Sequence, residues 1–229
     1  MTGIEIIPTC VPRDANDLAR GADAMRGYSD EIHIDIDDGL FAPVVTWPYT
    51  EAGMWDAGGI SVPAGMRSEV HLMVEDPRGI GIAFARAGAR RIVAHIEAFG
   101  SAEEAHGALD AWRENGAEEA GLGMLMATSF EVIEPVVRAC DVVHLMSIAT
   151  IGTQGIPYEA SAPARIAEFH ARHPDMLLSV DGGVGESNIA DLVRAGARRF
   201  GVGSAISKAA DPAAAYAKLK VLAESALAS

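Results

Sequence analysis

The sequence predicts an α/β fold, a single (β/α)8 barrel spanning residues 1–229, on three observations. Short, continuous apolar runs recur eight times at roughly 20–30 residue spacing, as buried parallel strands require. Most are separated by Ala-rich segments whose apolar residues fall at helical spacing. One phrase also repeats: Arg86-Ala-Gly-Ala-Arg-Arg-Ile92 returns as Arg194-Ala-Gly-Ala-Arg-Arg-Phe200, about four strand–helix units later. Strand–helix alternation gives a parallel sheet covered by helices, and eight repeats close it.

In order, Ile4–Pro8 is the first strand and Asp14–Met25 the helix after it. Glu31–Ile36 is strand two, and the Gly/Pro cluster at Ala57–Gly65 reads as a loop before strand three, Glu69–Met73. Pro77–Ala87 is helical, Arg91–His95 is strand four, and Ala102–Asn115 is helical again. Gly121–Met126, Asp141–Ile148 and Met176–Val180 are strands five to seven. Ser187–Ala195 is the next helix and Arg199–Val202 strand eight. Each copy of the repeated phrase reads as a helix end, a left-handed glycine just past it, then a strand.

Composition narrows the function. Net charge is -14 and the pI about 4.8, which argues against nucleic acid or an anionic membrane as partner. A phosphorylated substrate would then be held locally, by backbone N–H groups or helix ends. The lysines are Lys208, Lys218 and Lys220, all near the C-terminus, so Schiff-base aldolase chemistry is excluded from the earlier strand ends. The 2 cysteines, Cys10 and Cys140, make no disulfide scaffold, and a reduced cytoplasmic protein is expected. No signal peptide is evident, and no apolar stretch approaches the ~18 residues of a membrane span.

Four residues at three strand ends carry the chemistry: His33 and Asp35 on strand two, His71 on strand three and Asp181 on strand seven. His33 and Asp35 are two apart and share one side of their strand. Active sites of such barrels lie at the C-terminal strand ends, so all four would meet at one mouth. Two histidines and two aspartates suit a divalent metal; the aspartates could equally serve as a paired acid and base.

The words around these residues are Ile32-His-Ile-Asp-Ile-Asp-Asp-Gly39 with Phe41 and Pro43, then His71-Leu-Met-Val74, then Ala87-Gly-Ala89 leading to His95 and Glu97, then Asp181-Gly-Gly-Val184, then Gly203-Ser-Ala-Ile206. In that order they resemble the ribulose-phosphate 3-epimerase family, from about Pro8 to about Ile206. The resemblance implies a ribulose-phosphate-binding type of barrel that inverts carbon 3 of a ketopentose phosphate. It further implies one divalent ion (zinc, iron, manganese or cobalt) on His33, Asp35, His71 and Asp181, and a homo-oligomer. Asp35 and Asp181 would be the two proton carriers, because inversion needs one on each face of a planar enediolate. Met73 and Met146 match family positions lining the pocket, and His71 is expected to contact the substrate as well as the metal. Thr9 stands where the family has serine. Gly182, Gly183, Gly203 and Ser204 would cradle the phosphate, since loops after strands seven and eight form a recurrent phosphate site in this fold. Gly152, in the loop after strand six, would complete the cradle and serve in a lid.

Several substrate-facing words depart from the family. The loop after strand six, usually Pro/Gly/Phe-rich, is Thr150-Ile-Gly-Thr-Gln-Gly155; Leu125-Met-Ala-Thr128 replaces an Asn-Pro word; Ala42-Pro-Val44 lacks the usual Asn. Asp37 replaces a methionine, at a point where strand two is expected to end. His144 replaces a leucine-like residue and points into the barrel; a buried, hydrogen-bonded role is expected of it rather than a catalytic one. Another ketose phosphate, such as allulose 6-phosphate, therefore stays open as substrate, as does a non-catalytic sugar-phosphate-binding barrel.

Overall fold

The computed structural model describes residues 3–152 and 156–228. Its strands are β1 (Glu5–Cys10), β2 (Glu31–Asp37), β3 (Arg67–Met73), β4 (Arg91–His95), β5 (Glu119–Met124), β6 (Val142–Met146), β7 (Leu178–Asp181) and β8 (Arg199–Val202). They are all parallel and run in order around a closed barrel, β1 pairing with both β2 and β8. The eight expected strands are these eight, with no end displaced by more than two residues. The fold is a TIM barrel.

Seven α-helices are described: α1 (Ala15–Met25), α2 (Pro77–Arg86), α3 (Ala102–Glu114), α4 (Ala162–Arg172), α5 (Ile189–Ala195), the single turn α6 (Ser204–Ser207) and α7 (Pro212–Leu227). Side chains cap three of them: Asp14, Ser101 and Asp211 each accept from an N–H in the first turn, satisfying a donor the helix cannot. Gly88 and Gly196 end α2 and α5 at φ 99° and 121°, the left-handed turns expected of the repeated phrase. Two crossovers depart from the regular unit. After β2 the chain makes a small antiparallel pair, Tyr49–Glu51 with Met54–Trp55. After β5 it makes two 3-10 turns, Phe130–Val132 and Val137–Ala139, and Pro135 between them has no N–H with which to continue a helix.

Alternation along each strand divides two interiors. One set of side chains, including Ile34, Leu72, Ile92, Leu122, Leu145, Val180 and Phe200, packs outward against Leu18, Phe84, Trp112, Phe169 and Leu192 of the helices in one continuous apolar core. The other set fills the lumen and is largely polar. At its N-terminal end Arg199 pairs with Glu5 (2.6 Å), Glu119 (2.7 Å) and Glu69 (3.2 Å). Arg91 pairs with Glu31 (3.0 Å), Glu5 (3.2 Å) and Glu119 (3.2 Å). An ion-pair lattice thus plugs the end of the barrel where branched apolar residues are more usual. No helix among the described residues is long and apolar enough to cross a membrane.

Candidate active site

The C-terminal end of the lumen holds a cluster of imidazoles and carboxylates. Parallel register sets Asp35 of β2 beside His71 of β3, and β1 beside β2 at Thr9 and His33. The carboxylate of Asp35 accepts from His33 Nε2 and from His71 Nδ1, each at 3.1 Å. Asp181 enters from β7, its Oδ2 3.9 Å from the same His71 Nδ1. The four residues expected from the sequence therefore lie together. His33, His71, His144 and Asp181 each offer one ligand atom, all within 4.8 Å of one another, a donor set that could hold a metal ion.

Outer nitrogens of these rings are held from behind. His33 Nδ1 is 2.8 Å from Glu69 Oε1, and Glu69 in turn pairs with Arg199. His71 Nε2 is 2.9 Å from His95 Nε2, and His95 Nδ1 lies 3.5 Å from Glu97. Glu97 accepts from the Leu125 N–H (2.9 Å) and from the Thr128 hydroxyl. His144 Nδ1 is 2.9 Å from Ser179 Oγ.

Burial and neighbours split the two aspartates. Burial would raise Asp35, but His33 and His71 outweigh it and hold the carboxyl below its ordinary value. Burial, then the Asp35 charge, raises Asp181 to about 6. Burial alone would lower His33; the carboxylates of Asp35 and Glu69 overcome it and lift the imidazole well above its ordinary value. Burial lowers His95 and, with the neighbouring imidazoles, takes His144 far below its ordinary value.

Above the cluster opens a cavity of about 330 Å³. Thr9, Asp35, Asp37, Met73, Met146, Gly152, Asp181, Gly182, Gly183, Gly203 and Ser204 all line it. Met73 and Met146 form an apolar wall with Ala42, Ile148 and Ile151. No lysine or arginine is among the described lining residues. Of the expected lid, Thr153, Gln154 and Gly155 lie outside the described residues; Gly152 is described, at φ 74°, packed on Ala42, Pro43 and Asp37.

A family model for the "Ribulose-phosphate 3 epimerase family" matches residues 5–207. The chain belongs to this family. It is 36% identical over 206 residues to a ribulose-phosphate 3-epimerase of Aquifex aeolicus (strain VF5), covering 89% of each chain. It is 30% identical over 223 residues to the enzyme of that name from Bacillus subtilis (strain 168), covering 95% of this chain and 98% of the other. Among solved structures, 3-hexulose-6-phosphate synthase from Salmonella typhimurium aligns over 97% of this chain and 100% of its own at a TM-score of 0.68. With 17% identity, that likeness speaks for the barrel alone. Members of the epimerase family are isomerases of carbohydrate phosphates, and this chain is an epimerase of that kind.

Set beside the family words, two departures gain a location. Strand β2 does not stop short of Asp37 but runs through it, so Asp37 shares the inward side of Asp35. The cause is the parallel register, which continues as far as Asp37 beside Met73. Its carboxyl lines the cavity, and its Oδ1 has no hydrogen-bond partner among the described residues. Burial, then Asp35, Asp38 and Asp181, raises it to about 8. His144 is buried and hydrogen-bonded as expected, and it also belongs to the ligand cluster. The residues behind the rings, Glu69, His95, Glu97 and Ser179, were not singled out from the sequence. His95 and Glu97 carry a signal, standing two apart at the end of β4 inside a family word. Glu69 and Ser179 carry none, because the parallel register that sets Glu69 beside His33 and Ser179 beside His144 cannot be read from the sequence.

Proposed function

We propose that the chain is a metal-dependent 3-epimerase that interconverts D-ribulose 5-phosphate and D-xylulose 5-phosphate through an enediolate. The observation that carries this reading is the pair of cavity carboxylates, Asp35 and Asp181. They come from β2 and β7, strands separated by β1 and β8, and both face His71 Nδ1. One divalent ion (zinc, iron, manganese or cobalt) would be held by His33, Asp35, His71 and Asp181. When bound, such an ion polarises the ketone and neutralises charge on the substrate oxygens.

The protein's own groups do the rest. A carboxylate on one face takes the proton from carbon 3, and the carboxylic acid on the other face returns one, which inverts the centre. Without the metal, Asp35 is held below its ordinary value by His33 and His71 and Asp181 is raised by burial and the Asp35 charge, an asymmetry in keeping with unequal roles for the two carboxyls. Met73 and Met146 keep water from the enediolate face, and Thr9 supplies a hydroxyl at the rim. The phosphate lies at Gly182–Gly183 and Gly203–Ser204, where the first N–H groups of α6 have no intrahelical acceptor. No cationic side chain is needed there, in keeping with the lining.

Asp37 favours a second reading, in which the substrate is another ketose phosphate such as allulose 6-phosphate, because a buried polar oxygen on the wall suits an extra hydroxyl. Turnover in deuterated water tests the mechanism for either substrate. Solvent deuterium is expected at carbon 3 of the product; epimerisation without label there would exclude the enediolate and the two-carboxylate scheme.

A further inference from the structure

We infer that His144 is a third imidazole ligand of the metal, so that the centre is His33, His71 and His144 with the cavity aspartates rather than a two-histidine site. The inference rests on the metal-dependent reading above and concerns a residue that the family words place outside the ligand set.

Three independent features of the structure point to it. First, His144 is built into the cluster the same way as the other two rings. Each imidazole has one nitrogen anchored from behind and the other turned inward. For His33 the anchor is Glu69 on Nδ1, for His71 it is His95 on Nε2, and for His144 it is Ser179 on Nδ1. A partner on the remote nitrogen fixes the ring and its tautomer, which is how metal-ligating histidines are generally supported. When Nδ1–H donates to Ser179 Oγ, the lone pair on Nε2 faces the cluster.

Second, that inward nitrogen is an orphan. His144 is 0% exposed, and its Nε2 has no hydrogen-bond partner among the described residues. The inward nitrogens of His33 and His71 at least meet Asp35. A fully buried polar atom without a partner is uncommon in a folded interior and calls for an ion or a water. Third, the position is reachable. The His144 ring centroid is 4.7 Å from that of His71 and 5.7 Å from that of His33, and its ligand atom belongs to the group lying within 4.8 Å. Donor atoms around one small ion stand up to about 4 Å apart at bond lengths of about 2.0–2.1 Å. The group therefore closes on an ion with a shift of roughly an ångström.

The consequence is selectivity. A third neutral nitrogen makes the site more like those that hold zinc or cobalt and less like the oxygen-rich sites that hold manganese. Loss of His144 should then weaken zinc binding about 10-fold or more while changing manganese binding much less.

Proton NMR of the cobalt(II)-loaded, full-length protein in water tests this directly. Each ligating imidazole contributes one exchangeable, paramagnetically shifted N–H from its remote nitrogen. Three such signals are expected, falling to two in His144→Leu, with zinc affinity measured against a chromophoric chelator falling in parallel. Two signals in the unmodified protein would overturn the inference, whether or not the variant folds, and would leave the epimerase reading intact. Failure of the unmodified protein to bind cobalt or zinc at all would overturn both. Ser179→Ala, which removes only the anchor, should still bind zinc while one of the three signals is lost to faster exchange; an unchanged set of signals would also count against the inference.

Discussion

At the closed end of the barrel lumen, Arg91 and Arg199 sit among Glu5, Glu31, Glu69 and Glu119, whereas at the open end Asp35, Asp37 and Asp181 line a cavity above buried histidines, with no arginine or lysine in its described lining. Both regions bury charge on the same eight strands. In the first, fixed guanidinium forks answer the carboxylates within the protein. In the second, carboxylates and imidazoles converge with orphan atoms left over, at Asp37 Oδ1 and His144 Nε2. The closed end carries its own counter-charges, although Arg91 Nη1 and Nη2 meet theirs as ion pairs without hydrogen-bond geometry; the open end is short of positive charge and polar partners, which a divalent cation and a hydroxylated substrate would supply. Glu69 joins the two, with one oxygen on Arg199 and the other on His33.

The most direct way to break this contrast is to remove a carboxylate from the open end. Asp181→Asn should cost about 10²–10⁴-fold in kcat, the range for loss of a positioned acid–base group, with far-ultraviolet circular dichroism and unfolding midpoint little changed. Metal content by elemental analysis should fall as well. Retention of both turnover and metal would show that Asp181 belongs with the structural charges instead.

A change at the closed end should act on stability and on its pH dependence. Glu69 would be raised by burial, but the hydrogen bond to His33 and the charge of Arg199 hold it down to about 2, against an ordinary value of 4.5. A carboxyl depressed in the folded state stabilises the protein above its unfolded pKa, and that contribution is lost as pH falls through the folded value. Metal-free protein should therefore lose roughly 3 kcal/mol from this group between about pH 4.5 and 2, and Glu69→Gln should flatten that part of the profile. Urea denaturation at a series of pH values measures it. A variant with the same acid slope as the unmodified protein would detach Glu69 from acid stability.

How far the sequence disclosed these regions follows from what each depends on. All eight strands were legible because buried parallel strands are short apolar runs, and the turns at Gly88 and Gly196 because a left-handed helix end favours glycine. The meeting of His33, Asp35, His71 and Asp181 was legible as a convergence of strand ends. The closed-end lattice was not: Glu5, Glu31, Glu69, Arg91, Glu119 and Arg199 are scattered charged residues at strand starts, indistinguishable in sequence from solvated ones until the barrel closes. The missing helix after β5 is a tertiary outcome of the same kind, with Pro135 as its only local sign.

The smallest expected effect sharpens the contrast at the rim, where no side-chain charge is offered to the phosphate. Gly203 follows β8 and leads into α6, and it packs so close to Thr9 that a Cβ on it would lie 2.6 Å from the Thr9 hydroxyl. Gly203→Ala would push Thr9 aside and intrude on the proposed phosphate cradle, while Asp35 and Asp181 stay in place. Binding that is equal in ground and transition state would suffer, so KM should rise about 10-fold with kcat changed by less than about 3-fold. Free ribulose, which makes no use of the cradle, should show a much smaller change in kcat/KM in the same variant. The comparison of ribulose 5-phosphate with free ribulose, in both proteins and with one metal, isolates the phosphate contribution. Equal losses on the two substrates would mean that Gly203 serves only as a turn and that the phosphate is held elsewhere on the rim.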